Sequence, residues 1–148
     1  MKLSSQYLVP GSPERIYTAL TDPAVLQQCI PGCESLTATA ENIYDARIKI
    51  GVAGLKGTYT GRAELRDPDP PRAFTLAVNG KGGPGFVRAT ARISLAPHGN
   101  GTQITCDADV EVGGLLASVG SRLIEAVSRQ QMDEFFKRLQ SLSASPGP

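Results

Sequence analysis

Between residues 34 and 112 apolar and polar side chains alternate. Tyr44, Ala46, Ile48, Ile50 and Val52 are interleaved with Asp45, Arg47 and Lys49, and Tyr59, Gly61, Ala63 and Leu65 with Thr60, Arg62, Glu64 and Arg66. Phe74, Leu76 and Val78 alternate with Thr75 and Ala77, and Val87, Ala89, Ala91, Ile93 and Leu95 with Arg88, Thr90, Arg92 and Ser94. Last come Ile104, Cys106, Ala108, Val110 and Val112 against Thr105, Asp107, Asp109 and Glu111. A period of two predicts strands with one dry and one wet face, as in antiparallel sheets. Segments 51–57, 67–72, 80–85 and 97–101 carry turn chemistry, so the strands should form a meander.

The flanks follow other rules. Residues 2–9 read as an extended segment with Leu3, Ser5, Tyr7 and Val9 on one face. Ser12-Pro13 is a helix start, with Ser12 as cap and Pro13 at the first helical position. Thr21-Asp22-Pro23 ends that helix and caps a second short one, which stops before Pro31-Gly32. Beyond Gly113-Gly114 the period lengthens: Leu116, Val119, Leu123, Val127, Phe135, Leu139 and Leu142 recur at helical spacing, widened by Ile124, Met132 and Phe136. This predicts one long amphipathic helix over 115–142 and a disordered Pro/Gly/Ser tail over 143–148. A one-faced sheet needs a cover, and only the terminal helix is long enough. The expectation is an α+β single domain over 1–142, with a curved antiparallel sheet of about six to seven strands around that helix.

Composition narrows the function classes. The chain has 148 residues, 41% hydrophobic and 20% charged, with a net charge of +1, which is ordinary globular usage. That balance argues against a nucleic-acid partner, which usually meets a strongly basic face. No apolar run suits a signal peptide or a membrane span, and the three cysteines do not form an even framework. A cytoplasmic protein with reduced thiols is expected.

The dry faces carry many small residues, among them Ala46, Gly61, Ala63, Ala89, Ala91 and Ala108. Beneath a helix they either leave a cavity suited to an apolar ligand or let the helix pack closely. For the cavity, the lining on the strands comprises Tyr44, Ala46, Ile48, Tyr59, Ala63, Phe74, Leu76, Phe86, Ala89, Ala91 and Ala108. Its lining on the helix comprises Leu116, Val119, Leu123 and Val127. Gly82-Gly83-Pro84-Gly85 lies between two strands and matches no phosphate-binding motif. It is either a plain hairpin connection or a gating loop at the cavity mouth. The loop with Leu55 at its tip is a weaker candidate for touching lipid. Cys29 and Cys33 lack a convincing second ligand pair, so no metal site is expected. The acidic strand residues Asp45, Glu64, Asp107, Asp109 and Glu111 fall on the wet face, and His98 sits in a turn. No catalytic residue is therefore assigned, although Tyr44, Tyr59 and Tyr7 have hydroxyls able to bond a ligand carbonyl.

Several segments resemble one family. They are residues 10–19, Asp22-Pro23-Ala24-Val25-Leu26, Cys29-Ile30-Pro31-Gly32-Cys33-Glu34-Ser35-Leu36, Asp69-Pro70-Pro71, Gly82-Gly83-Pro84-Gly85-Phe86 and residues 112–124. Together they are similar to the carbon monoxide dehydrogenase G-subunit (CoxG) family, which belongs to the START-like, SRPBCC or Bet v 1-like superfamily with its helix-grip fold. The resemblance implies a non-catalytic accessory that binds a hydrophobic ligand, a quinone or lipid, and recruits a molybdenum hydroxylase of the carbon monoxide dehydrogenase type to the membrane. Longer members carry a C-terminal membrane anchor; here the chain stops after the helix, so membrane contact is expected to be peripheral. Beyond such a bound quinone or lipid, no cofactor is implied. The alternatives are a polyketide cyclase or aromatase on the same fold, with Tyr44, Tyr59 and Arg15 as its polar groups, and a purely structural adaptor.

Overall fold

A computed structural model describes residues 1–52 and 54–144. The chain runs β1 (Lys2–Pro10), α1 (Pro13–Leu20), α2 (Pro23–Cys29), β2 (Cys33–Ala40), β3 (Ile43–Ile50), β4 (Gly57–Asp69), β5 (Ala73–Gly82), β6 (Gly85–His98) and β7 (Gly101–Gly114). A 3₁₀ turn (Leu115–Val119) and α3 (Ser121–Ala144) complete it. All seven strands form one antiparallel sheet in the order β1-β7-β6-β5-β4-β3-β2. The meander and both short helices are where the alternation and the caps place them. The Ser12 hydroxyl accepts from the Arg15 amide at 3.3 Å, and the Asp22 carboxylate accepts from the Ala24 amide at 2.9 Å.

The expected single helix over 115–142 is two pieces. Gly120 adopts φ +95°, a left-handed conformation that a right-handed helix cannot continue through, so α3 starts only at Ser121. At the other end α3 runs on through Ser143 and Ala144, which composition alone assigns to the tail; residues 145–148 lie outside the described ones.

α3 packs along the inner face of the sheet beside edge strand β1. Tyr7 stacks on Phe136 with ring centroids 4.1 Å apart, and its hydroxyl donates to Asp133 at 2.8 Å. Gln140 donates to the Leu8 carbonyl at 2.5 Å, occupying one of the backbone groups that an edge strand otherwise leaves open. Phe136 and Leu139 join Ile16, Leu20, Tyr44, Phe74, Ile93 and Ile104 in a closed core under α1 and α2. Leu139 is 1% exposed there, whereas Leu123, four turns earlier on α3, is only half-buried. The C-terminal half of α3 thus supplies its anchor in this core, while Ile124 and Val127 of the N-terminal half are buried outside it.

Cys29 and Cys106 belong to this core, and burial raises both thiol pKa values, that of Cys106 to about 11. Burial also raises the half-buried Cys33, whose thiol donates to the Ser35 carbonyl at 3.3 Å.

An anchor at one end makes the two ends of α3 unequal. Leu139→Ala should cost about 2–5 kcal/mol in urea unfolding, whereas Leu123→Ala should cost no more than about 1 kcal/mol. Equal costs would contradict a helix anchored at one end. A thiol reagent at pH 7 should modify Cys33 alone, and slowly, in the folded protein, and all three cysteines after denaturation. Rapid labelling of Cys29 or Cys106 in a peptide map would count against the packing described.

Candidate functional site

The strand register lines up inner-face residues in rows across the sheet, and the rows grade in size. At the β5–β6 turn end the row is Gly61, Gly80, Val87 and Val112. The next is Ala63, Val78, Ala89 and Val110, and the next Leu65, Leu76, Ala91 and Ala108. Then come Phe74, Ile93 and Cys106, which are buried in the closed core. The two rows nearest the turn end are half-buried throughout, although every member is apolar and lies on the α3 side of the sheet. The inner face of the sheet is thus closed where its side chains are large and partly accessible where they are small.

Three segments form the rim at the turn end. Gly54, in the β3–β4 loop, sits so close to the helix that a Cβ there would lie 3.4 Å from both Val119 Cγ1 and Leu123 Cδ2. The Leu116 amide donates to the Pro84 carbonyl at 2.9 Å, and the Tyr59 hydroxyl donates to the Leu55 carbonyl at 2.5 Å. Leu115, beside them, is 71% exposed. Ala53, in the same loop, lies outside the described residues.

The sequence-derived lining divides accordingly. Ala46, Ile48, Tyr59, Ala63, Leu76, Ala89, Ala91, Ala108, Val119 and Leu123 are half-buried on the inner side or at the rim. Leu116 and Val127 are buried beside them. Tyr44 and Phe74 belong to the closed core instead; Phe74 packs edge-on against Tyr17 with centroids 5.5 Å apart.

Two expectations need correction. Phe86, expected in the cavity lining, is not on the inner face. It shares its strand parity with Arg88, so its ring lies on the outer face across Gly113, under the Arg88 guanidinium at 5.0 Å. Any side chain at position 113 would overlap that ring. The second correction concerns Gly82-Gly83-Pro84-Gly85, which is a tight hairpin. Gly82 pairs with Gly85, and only Gly83 and Pro84 form the turn, whose Pro84 carbonyl is held by Leu116. A tied two-residue turn has little length with which to swing as a gate.

The tyrosine hydroxyls of the inner face are committed. Tyr44 donates to the Thr21 carbonyl at 3.3 Å, and Tyr7 and Tyr59 bond Asp133 and Leu55 as described. Desolvation, ahead of any other cause, raises all three tyrosine pKa values, that of Tyr7 to about 12. Arg15 is exposed on α1. The acidic strand residues point outward. Across strands, Asp45 pairs with Arg62 at 2.9 Å and Glu111 with Arg88 at 3.8 Å, while Glu64 meets Arg66 along β4 at 3.2 Å. Asp107 accepts from the Ser4 hydroxyl at 2.6 Å, and Asp109 meets the N-terminal ammonium at 3.4 Å. The Arg62 guanidinium, by its hydrogen bonds, holds the Asp45 carboxyl below the usual carboxylate range. Among the described residues no three His, Cys, Asp or Glu side chains converge as metal ligands, and no helix is long and apolar enough to cross a membrane.

Two inward groups are missing from the sequence-derived lining. Val78, Val87, Val110 and Val112 extend the half-buried apolar face, and their alternation already marks them as inward. Ser128 and Gln131 fall on the inward side of α3, where a polar residue reads from sequence as a break in the stripe.

Comparison with known proteins agrees with this architecture. The chain is 38% identical to a conserved protein from Geobacillus kaustophilus of known crystal structure, over 97% of this chain and 95% of that one, with a TM-score of 0.93. It also matches a START superfamily protein from Mycobacterium smegmatis at 18% identity, over 96% of each chain, with a TM-score of 0.74. A protein from Thermus thermophilus matches at 19% identity over 98% of this chain and 99% of that one, with a TM-score of 0.72. No curated protein matches. The START-like architecture is therefore common to chains of very different sequence. The model of the carbon monoxide dehydrogenase G-subunit (CoxG) family matches residues 6–143, and the chain belongs to that family.

Proposed function

We propose that the protein is a non-catalytic accessory that holds a hydrophobic small molecule, a quinone or a lipid, in the hollow between the sheet and the N-terminal half of α3. The observation that carries this reading is the half-buried, wholly apolar inner face formed by Ala63, Val78, Ala89 and Val110 and the rows beside it. Apolar surface left accessible inside a fold gains by taking up apolar ligand, at about 25 cal/mol per Å² buried. The partner is a molybdenum hydroxylase of the carbon monoxide dehydrogenase type, a reading supported by the family's name. Peripheral contact with the inner face of the cell membrane would use the rim, where Leu115 is exposed, so that ligand passes to and from the bilayer beside it. A cyclase-type activity would need free polar groups converging on the ligand, and the hydroxyls of Tyr44 and Tyr59 already bond backbone carbonyls.

Organic extraction of the purified protein should release a lipid or quinone. Added menaquinone or ubiquinone at about 100 times its Kd should stabilise the protein by about 2.7 kcal/mol, a rise in Tm of roughly 5–10 °C. Ala89→Leu should fill the hollow, abolish that rise and leave the unliganded Tm within about 2 °C, since an open space accepts the added methyl groups. An empty extract together with an unmoved Tm would defeat the proposal. A large loss of stability in Ala89→Leu would instead mean that sheet and helix are closely packed there.

A further inference from the structure

Charge is divided unevenly along the chain. Residues 46–63, 78–89 and 112–124 contain no Asp or Glu. The first of these segments carries Arg47, Lys49, Lys56 and Arg62, the second Lys81 and Arg88, and the third Arg122. Of the 15 cations in the chain, seven thus lie in segments that hold none of its 14 anions. The net charge of +1 conceals this separation.

The fold brings the three segments together at the β5–β6 turn end. A Cβ on Gly54, in the β3–β4 loop, would lie 3.4 Å from both Val119 Cγ1 and Leu123 Cδ2, and one on Gly57 would lie 3.3 Å from Pro84 Cδ. The Leu116 amide, in turn, donates to the Pro84 carbonyl. Arg47, Arg62 and Arg88 reach out of the acid-free segments to Glu34, Asp45 and Glu111. Lys49, Lys56, Lys81 and Arg122 are exposed, and among the described residues none of them has a carboxylate partner. Leu115, next to the Leu116 that ties the turn, is 71% exposed at the same end.

An exposed leucine among uncompensated cations suits the surface of a bilayer that carries negative headgroups. The leucine gains by leaving water, while the cations are drawn to the surface and their stems can lie along its apolar boundary. The groups come from three separate connections at one tip of the molecule, which presents them together to a plane. Each cation that comes near such a surface strengthens binding about fivefold.

We propose that this end is a docking surface for anionic phospholipid headgroups, with Leu115 entering the interface and Lys49, Lys56, Lys81 and Arg122 at headgroup level. The end of the sheet whose inner face is partly accessible is thereby turned towards the bilayer. This rests on the reading of the rim as the place of membrane contact and adds to it the class of lipid that selects it.

The test is co-sedimentation with vesicles of phosphatidylcholine alone and of phosphatidylcholine with about 30% phosphatidylglycerol. In about 0.1 M salt the protein should bind the anionic vesicles about a hundredfold more tightly, and about 0.5 M salt should remove most of that preference. Lys56→Gln combined with Lys81→Gln should weaken anionic binding about twentyfold and leave binding to neutral vesicles unchanged. Arg66→Gln combined with Lys137→Gln, the same loss of charge away from this end, should change anionic binding less than about threefold. Leu115→Ala should weaken binding to both kinds of vesicle about five- to tenfold. Equal binding to the two vesicles, or an equal loss in the two double variants, would overturn the lipid selection while leaving the rim as a contact site. Binding to neither vesicle would overturn membrane contact at the rim itself, and this proposal with it. Binding to poly-L-glutamate but to neither vesicle would assign the same charge to an acidic protein instead, and so would also overturn it.

Discussion

The contact of Phe136 with Tyr7, backed by Leu139 in the closed core, sets the position of α3, and the rest of the molecule depends on where that helix lies. Its C-terminal half meets large side chains on the sheet and packs without gaps. Its N-terminal half, in which Ile124 and Val127 are also buried, lies towards the end of the sheet where the inward residues are Gly, Ala and Val. The side chains of the inner face thus shrink towards the β5–β6 turn end. The Asp133 and Gln140 bonds to β1 hold the rod along the sheet edge and occupy backbone that would otherwise invite another strand.

Charge is kept out of this interior by the pleat. Strands whose apolar residues fall at every second position turn the intervening residues to water, and there Arg62 lies directly opposite Asp45, and Glu111 opposite Arg88. These cross-strand pairs favour the observed register, since a shift by one residue would turn the charged set towards α3. The buried thiols follow the same rule: desolvation outweighs every other influence and keeps Cys29 and Cys106 protonated. On the inner face the Tyr44 and Tyr59 hydroxyls are tied to backbone carbonyls and that of Tyr7 to Asp133.

The rim is governed by glycine. Gly113 lets the Phe86 ring lie flat across the sheet on the outer side, and Gly120 breaks the chain between the 3₁₀ turn and α3. Leu116 stands in the first turn of the 3₁₀ helix, where an amide has no partner within the helix, and it donates to the Pro84 carbonyl, so the β5–β6 turn and the 3₁₀ turn are tied together. Leu115 is left outside, exposed beside the entrance.

Spacing within a few residues is enough to give the element order, the meander, the helix caps and the dry side of each strand, and all of these are legible in the chain. So are the resemblance that the family match bears out and the unusually small inward positions Ala63, Ala89 and Ala108. Phe86 is misplaced by that reading, which followed its aromatic character although its parity with Arg88 already turns it outward. The 3₁₀ turn is wrongly joined to α3, because helical spacing runs across Gly120 while the backbone does not. That the small residues lie under one half of the helix and the large ones under the other emerges only from the packed molecule. The same division places Tyr44 and Phe74 in the closed core. Such facts depend on register across strands distant in sequence and on the direction of a helix, and neither is encoded in any single segment.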